Sequence, residues 1–80
     1  MVMVSPNPFS DETHFLITIP GSYIYGIVIY DMQGRLVYKK EGITENNFIF
    51  HRGSVKPGMY IYQVNSGDTL IGKGKLVLTE

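Results

Sequence analysis

Two histidines, His14 and His51, and the carboxylate pair Asp11-Glu12 are the residues of this 80-residue chain whose types could bind a metal or move a proton. A zinc site needs three or four ligands at suitable spacing, and the chain offers only two histidines among scattered carboxylates. Surface histidine is the better reading, and no metal site is expected. Asp11-Glu12 falls where a loop opens, so turn formation and solvation explain it better than acid–base work. Ser5, Ser10, Ser22, Ser54 and Ser66 all sit among turn residues, and none has the G-x-S-x-G setting of a nucleophile elbow. Gly72-x-Gly74 is no phosphate loop, because no strand-to-helix turn follows it to supply an anion site. Tyr23, Tyr25, Tyr30, Tyr38, Tyr60 and Tyr62 could form an aromatic platform for a sugar. Strands favour tyrosine in any case, and a period of two turns three of these inward. No catalytic signature remains: the chain is read as a non-enzyme without a cofactor.

Composition sets the bounds on what could position these residues. A single domain of this length buries about 60–65% of the surface its unfolded chain exposes. The 44% of apolar residues, with six Tyr and four Phe, is enough for a thin core. There is no Cys, so the core must hold the fold without disulfides or thiolate metal sites. Seven basic and seven acidic residues balance to zero, with no basic stripe to attract nucleic acid. No apolar run approaches the ~20 residues of a membrane span. Met1-Val2-Met3-Val4 lacks the charged and apolar regions of a signal peptide. An exported domain of this kind would take its export signal from an upstream part of a larger parent chain.

The pattern along the chain is one of short strands between turn signals. Residues 13–19 are rich in branched and aromatic side chains and stop at Pro20-Gly21. Residues 23–30 place Tyr25, Ile27 and Ile29 on one face. Asp31-Met32-Gln33-Gly34 reads as a type I turn closed by Gly34 in the left-handed region. Residues 35–40 return antiparallel with Val37 inward, and polar connectors follow around Ile43, a candidate for the core. Phe48 and Phe50 share a face; Lys56-Pro57-Gly58 turns the chain; residues 59–65 alternate Tyr60, Tyr62 and Val64 against Met59, Ile61 and Gln63. A last hairpin at Asn65-Ser66-Gly67-Asp68 leads into residues 69–78. No stretch has helical periodicity with caps. With a short first strand near 2–4, the expectation is an all-β, immunoglobulin-like antiparallel sandwich of about seven strands, without the Cys and Trp of an antibody domain.

Pro6 and Pro8 lack an N–H for a sheet ladder, so 5–9 must lie at an edge or outside the sheet. The domain plan is therefore one unit over 1–80, with 1–9 a stiff proline-containing lead-in from an upstream region and 10–80 the sandwich. Gly72 and Gly74 weaken the last strand and allow a bulge or a close backbone approach, while Lys73 and Lys75 alternate with them as edge protection.

These motifs, taken in order, resemble the C-terminal sorting domain of the type IX secretion system. Pro6-Asn7-Pro8-Phe9 matches the opening of that family, and Tyr30-Asp31-Met32-Gln33-Gly34-Arg35 matches its Tyr-Asp-x-x-Gly-Arg, with Val37 in the strand that follows. Phe48, Phe50, Val55, Gly58, Tyr60 and Tyr62 fit its aromatic strand, aliphatic residue and Gly-x-Tyr-x-Tyr; Gly74-Lys75-Leu76-Val77 fits its closing Gly-Lys-Leu-Val. The likeness runs from about Val4 to Leu78.

The resemblance implies an address label, not an enzyme. It implies a parent protein exported to the periplasm, recognition of this domain by the outer-membrane type IX translocon, and delivery to the cell surface or medium. It further implies removal by a sortase-like peptidase, with a covalently attached upstream cargo as the payload. Within that reading, recognition is expected on the C-terminal hairpin over 58–78, through Gly58, Tyr60, Gly72, Gly74, Lys75, Leu76 and Val77. Lys75 would be the charged contact and the strand edge would be open to pairing, self-association of copies included. The motivation is that Gly72, Gly74 and Lys75 look poorly chosen for packing. Pro6, Asn7, Pro8, Asp31, Gly34 and Arg35 carry structural roles.

Two rivals are an accessory carbohydrate-binding sandwich and a fibronectin-like spacer of a secreted protein. The first would need an exposed aromatic strip, and the chain has too few clustered carboxylates for calcium, which takes six to eight oxygens. The second would work anywhere along its parent.

Overall fold

Apolar residues repeating at period two give each strand one face to bury, and two such faces pressed together make the core. The computed structural model of the chain describes residues 1–18 and 23–80. In chain order the strands are β1 (Val2–Ser5), β2 (Glu12–Ile17), β3 (Tyr25–Asp31), β4 (Leu36–Ile43), β5 (Asn47–His51), β6 (Gly58–Ser66) and β7 (Thr69–Leu78), with no helix among the described residues. β1-β2-β5 form a three-stranded sheet and β4-β3-β6-β7 a four-stranded one, with every strand pair antiparallel. The result is an immunoglobulin-like sandwich.

The core lies between the inner faces. Tyr25, Ile27 and Ile29 of β3 and Tyr60, Tyr62 and Val64 of β6 are buried, opposite Phe15 and Ile17 of β2 and Phe50 of β5. Ile43 is buried as well, and Val37 is partly buried against the same cluster. Each fully buried aliphatic or aromatic side chain contributes about 1.5–3 kcal/mol. Aromatic edges knit the sheets: Phe15 meets Tyr62 across 5.2 Å, and Phe50 meets Tyr38 across 4.8 Å, both T-shaped. Burial raises the Tyr38 and Tyr62 hydroxyls above the ordinary tyrosine pKa.

Two strand boundaries differ from the sequence expectation. Tyr23 and Ile24 are exposed and precede β3, which starts at Tyr25. β4 runs on to Ile43, through the stretch expected as a polar connector, because Tyr25 pairs with Ile43 across a register shift. Gly42 takes a positive φ of 71° within it, and tertiary pairing overrides the local turn signal. The expected stop at Pro20-Gly21 lies outside the described residues.

Candidate recognition site

The hairpin of β6 and β7 places the expected recognition residues on two faces and one edge. Leu76 and Leu78 point inward and are almost fully buried, while Lys73 and Lys75 project from the exposed side. Gly58 begins β6 opposite Leu78, with φ at 155°, and a Cβ there would touch the Tyr60 ring at 3.8 Å. Tyr60 lies in the core, and its hydroxyl donates to the Lys56 carbonyl four residues back. This is the tyrosine-corner arrangement of such sandwiches, and it explains Gly-x-Tyr as folding chemistry.

Gly72 and Gly74 are packing residues. A Cβ on Gly74 would stand 2.6 Å from the Tyr62 hydroxyl and 2.8 Å from its Cζ, and one on Gly72 would stand 2.8 Å from Val2 Cγ2. The Tyr62 ring and the Val2 side chain fill the space those glycines leave. The impression that these residues are poorly suited to packing is therefore corrected: tyrosine over glycine fills the sheet at one, and β1 closes against β7 at the other.

The edge of β7 is closed over its last residues. Asn7 Nδ2 donates to the Lys75 carbonyl at 2.8 Å, and the Val77 N–H donates to Asn7 Oδ1 at 2.9 Å. The carboxamide thus presents one donor and one acceptor, as a strand residue would. Phe9 continues the contact: its N–H donates to the Val77 carbonyl at 2.9 Å, and its own carbonyl accepts from the Thr79 N–H at 2.7 Å. Phe9 and Leu78 form a parallel bridge, and the Phe9 ring is buried against Phe50. Pro6 and Pro8 suit this course because a proline has no N–H to leave unpaired. The Thr13 hydroxyl, fully buried, donates to the Pro6 carbonyl at 2.7 Å.

Arg52 fastens the same end, and sequence reasoning passed it over. Its Nη1 donates to the carbonyls of Ser10 (3.0 Å) and Thr79 (3.2 Å), and its Nη2 to that of Val55 (3.0 Å). Only a planar guanidinium fork reaches carbonyls from three separate segments. No local signal marks it: Arg52 sits in a short polar stretch, and its partners come from both ends of the chain.

Asp31, Gly34 and Arg35 lie in the β3–β4 turn. Asp31 Oδ1 accepts from the N–H groups of Gln33 and Arg35, each at 2.9 Å, and Oδ2 accepts from Arg35 Nε at 2.8 Å. The Arg35 main-chain N–H is the largest cause holding the Asp31 carboxyl below its ordinary pKa. Gly34 takes a φ of 86°, as the turn requires.

On the outer face of the three-stranded sheet, Glu12 stands between the two histidines, 3.1 Å from His14 Nε2 and 3.7 Å from His51 Nδ1. Among the described residues no group of three or more His, Cys, Asp or Glu is placed to hold a metal ion. Tyr25, Tyr60 and Tyr62 are buried, and Tyr38 packs on Phe48 and Phe50. Tyr23 is exposed and Tyr30 half-buried, each on its own part of the surface.

Residues 3–79 match the family described as the secretion system C-terminal sorting domain. No curated protein matches the chain.

Proposed function

Because the chain belongs to the secretion system C-terminal sorting domain family, whose members are signals for type IX secretion, we propose that it directs an upstream cargo across the outer membrane through the type IX translocon. In this reading the domain folds in the periplasm, is recognised there as a ligand, and is then cut from its cargo by a sortase-like peptidase. The cargo carries the biological activity; the domain supplies the address and does no chemistry. The recognition residues of this reading remain those of the C-terminal hairpin, with Lys75 the exposed residue of the closing motif.

The observation that carries the reading is the meeting of the two terminal motifs. Pro6-Asn7-Pro8-Phe9 and Gly74-Lys75-Leu76-Val77 are bonded to each other through Asn7 and Phe9, across 68 to 70 residues of chain at the Asn7 contacts. A folded unit that ties its cargo-side segment to its last strand can be read as one object while something else hangs from its start.

The test is transport. The chain would be fused after a signal peptide and an inert fluorescent protein, in hosts with and without the translocon. Reporter at the surface or in the medium only when the translocon is present is the expected result. Reporter held in the periplasm of both hosts would return the chain to an accessory or spacer module.

A further inference from the structure

We propose that the domain is read on the outer face of its four-stranded sheet, by a partner protein whose docking surface is apolar at its centre and acidic at its rim. The inference rests on the sorting reading above and says where that recognition falls.

The edge alternative is closed over the last residues of β7. Strand addition needs free N–H and C=O groups, and the Lys75 carbonyl, both main-chain groups of Val77 and the Thr79 N–H just beyond the strand are engaged by Asn7 and Phe9. The broad surface beside that edge is open. Register places Leu36, Tyr30, Ile61 and Lys75 in one row across β4, β3, β6 and β7, and Lys39, Val28, Gln63 and Lys73 in the next. Met59 and Val77 pair beside the first row. Leu36 is 54% exposed and Met59 43%, and no element among the described residues covers this face, since the three-stranded sheet packs on the opposite, inner side. A continuous apolar strip rimmed by polar groups is the mark of an interaction surface.

Charge selects the occupant. Lys73 and Lys75 have no carboxylate partner among the described residues, whereas Asp31 is held by Arg35 and Glu41 by Lys39 at 3.3 Å. A cleft on the same face runs over Val28 and Tyr30, with Lys39, Lys40 and Glu41 on its β4 side and Gln63 on its β6 side; the Lys39–Glu41 pair cancels there, and Lys40 is left over. The unneutralised charge of this rim is therefore positive, which calls for carboxylates opposite. A second copy would bring lysine rim against lysine rim. An anionic lipid surface is the weaker fit: lipid-binding patches gather about 4–8 basic residues, and this chain has zero net charge.

The experiment uses the reporter fusion with the full chain in hosts with and without the translocon. Three forms are compared: unaltered; Lys39→Glu with Lys73→Glu and Lys75→Glu; and, on the opposite sheet, Leu16→Thr with Ile49→Thr. Thermal unfolding of each purified fusion shows which are folded, and Lys73→Gln with Lys75→Gln provides a milder second variant. The expected result is export cut at least ~tenfold by the triple reversal, a smaller cut by the double neutralisation, and no change from the opposite-sheet pair. Equal export of the unaltered and reversed forms would overturn the proposal while leaving the sorting reading intact. Loss confined to the opposite-sheet pair would also overturn it. Lysine-dependent flotation with anionic phospholipid vesicles would reassign the face to lipid, and lysine-dependent dimers in sedimentation would reassign it to a second copy. If the unaltered fusion shows no translocon dependence, the sorting reading fails and this one falls with it.

Discussion

The Val77 N–H donates to Asn7 Oδ1 across 2.9 Å and 70 residues of chain. With Asn7 Nδ2 on the Lys75 carbonyl, one exposed side chain holds two neighbouring outward groups of the last strand. The asparagine does for β7 what an eighth strand would do, over a short length, and leaves no open ladder at that point for another chain to join.

Replacement of Asn7 by Ala removes both bonds at once. The groups are exposed, so water takes their place, and the expected loss is about 1–2 kcal/mol. Asn7→Asp keeps the acceptor for Val77 but puts a carboxylate against the Lys75 carbonyl, and should cost at least as much at neutral pH. Urea unfolding measures both, and two unchanged midpoints would mean that the clasp contributes nothing to stability.

Gly74 and Tyr62 are predicted to couple. Alanine at 74 would set its Cβ 2.6 Å from the Tyr62 hydroxyl and 2.8 Å from Cζ, so ring or strand must shift, at about 1–3 kcal/mol. Tyr62→Phe relieves the nearest contact only. A double-mutant cycle of Gly74→Ala with Tyr62→Phe should therefore show a favourable interaction of about 0.5 kcal/mol or more. Strict additivity would show that the ring moves aside freely.

Asp31 gives a pH prediction. Its carboxyl is held below the ordinary pKa, chiefly by the Arg35 main-chain N–H. The charged form therefore binds the folded turn better than the unfolded chain, and its stabilisation is complete above the unfolded-state pKa. It is lost as pH falls from there through the lower folded-state value. Asp31→Asn should lower stability at neutral pH and flatten the acid limb of the stability curve. A limb of unchanged slope in the variant would assign the acid loss to other groups.

Most of the strands could be read from the chain because their information is local. Tyr25, Ile27 and Ile29, like Tyr60, Tyr62 and Val64, alternate with outward residues and are buried as that alternation implies. The Asp31 to Gly34 turn is written in four adjacent residues. What escaped the sequence was long-range. Asn7 looked like part of a stiff proline-containing lead-in because its partners lie 68 and 70 residues away. Gly72 and Gly74 looked like weak points because Val2 and Tyr62, which fill their space, belong to other strands. β4 outran its predicted end because its pairing with β3, not its own propensity, decides where it stops. The family resemblance named the important positions; only the fold says that most of them act on one another.

Arg52 should be the largest single polar contributor at this end of the sandwich. Its guanidinium donates to carbonyls of Ser10, Val55 and Thr79, thereby joining the β1–β2 connection, the β5–β6 connection and the residues after β7. Arg52→Met keeps an apolar stem of similar length and removes every donor, while those carbonyls lose a charged partner. Bonds to charged donors are worth about 1.5–3 kcal/mol in favourable settings, and a half-buried site with some access to water belongs near the lower figure, so a loss of ~2 kcal/mol is expected. Arg52→Lys retains the charge, but a single ammonium cannot reach all of the carbonyls, so it should recover less than half of that loss. Arg52→Met combined with Asn7→Ala should cost less than the sum of the two, because both side chains tie the segment before β2 to the C-terminal end of the chain, and that attachment is lost only once. Urea midpoints at constant slope measure all of these. A methionine variant within ~0.5 kcal/mol of the original would show that the end is held by Phe9 and the strand ladder alone.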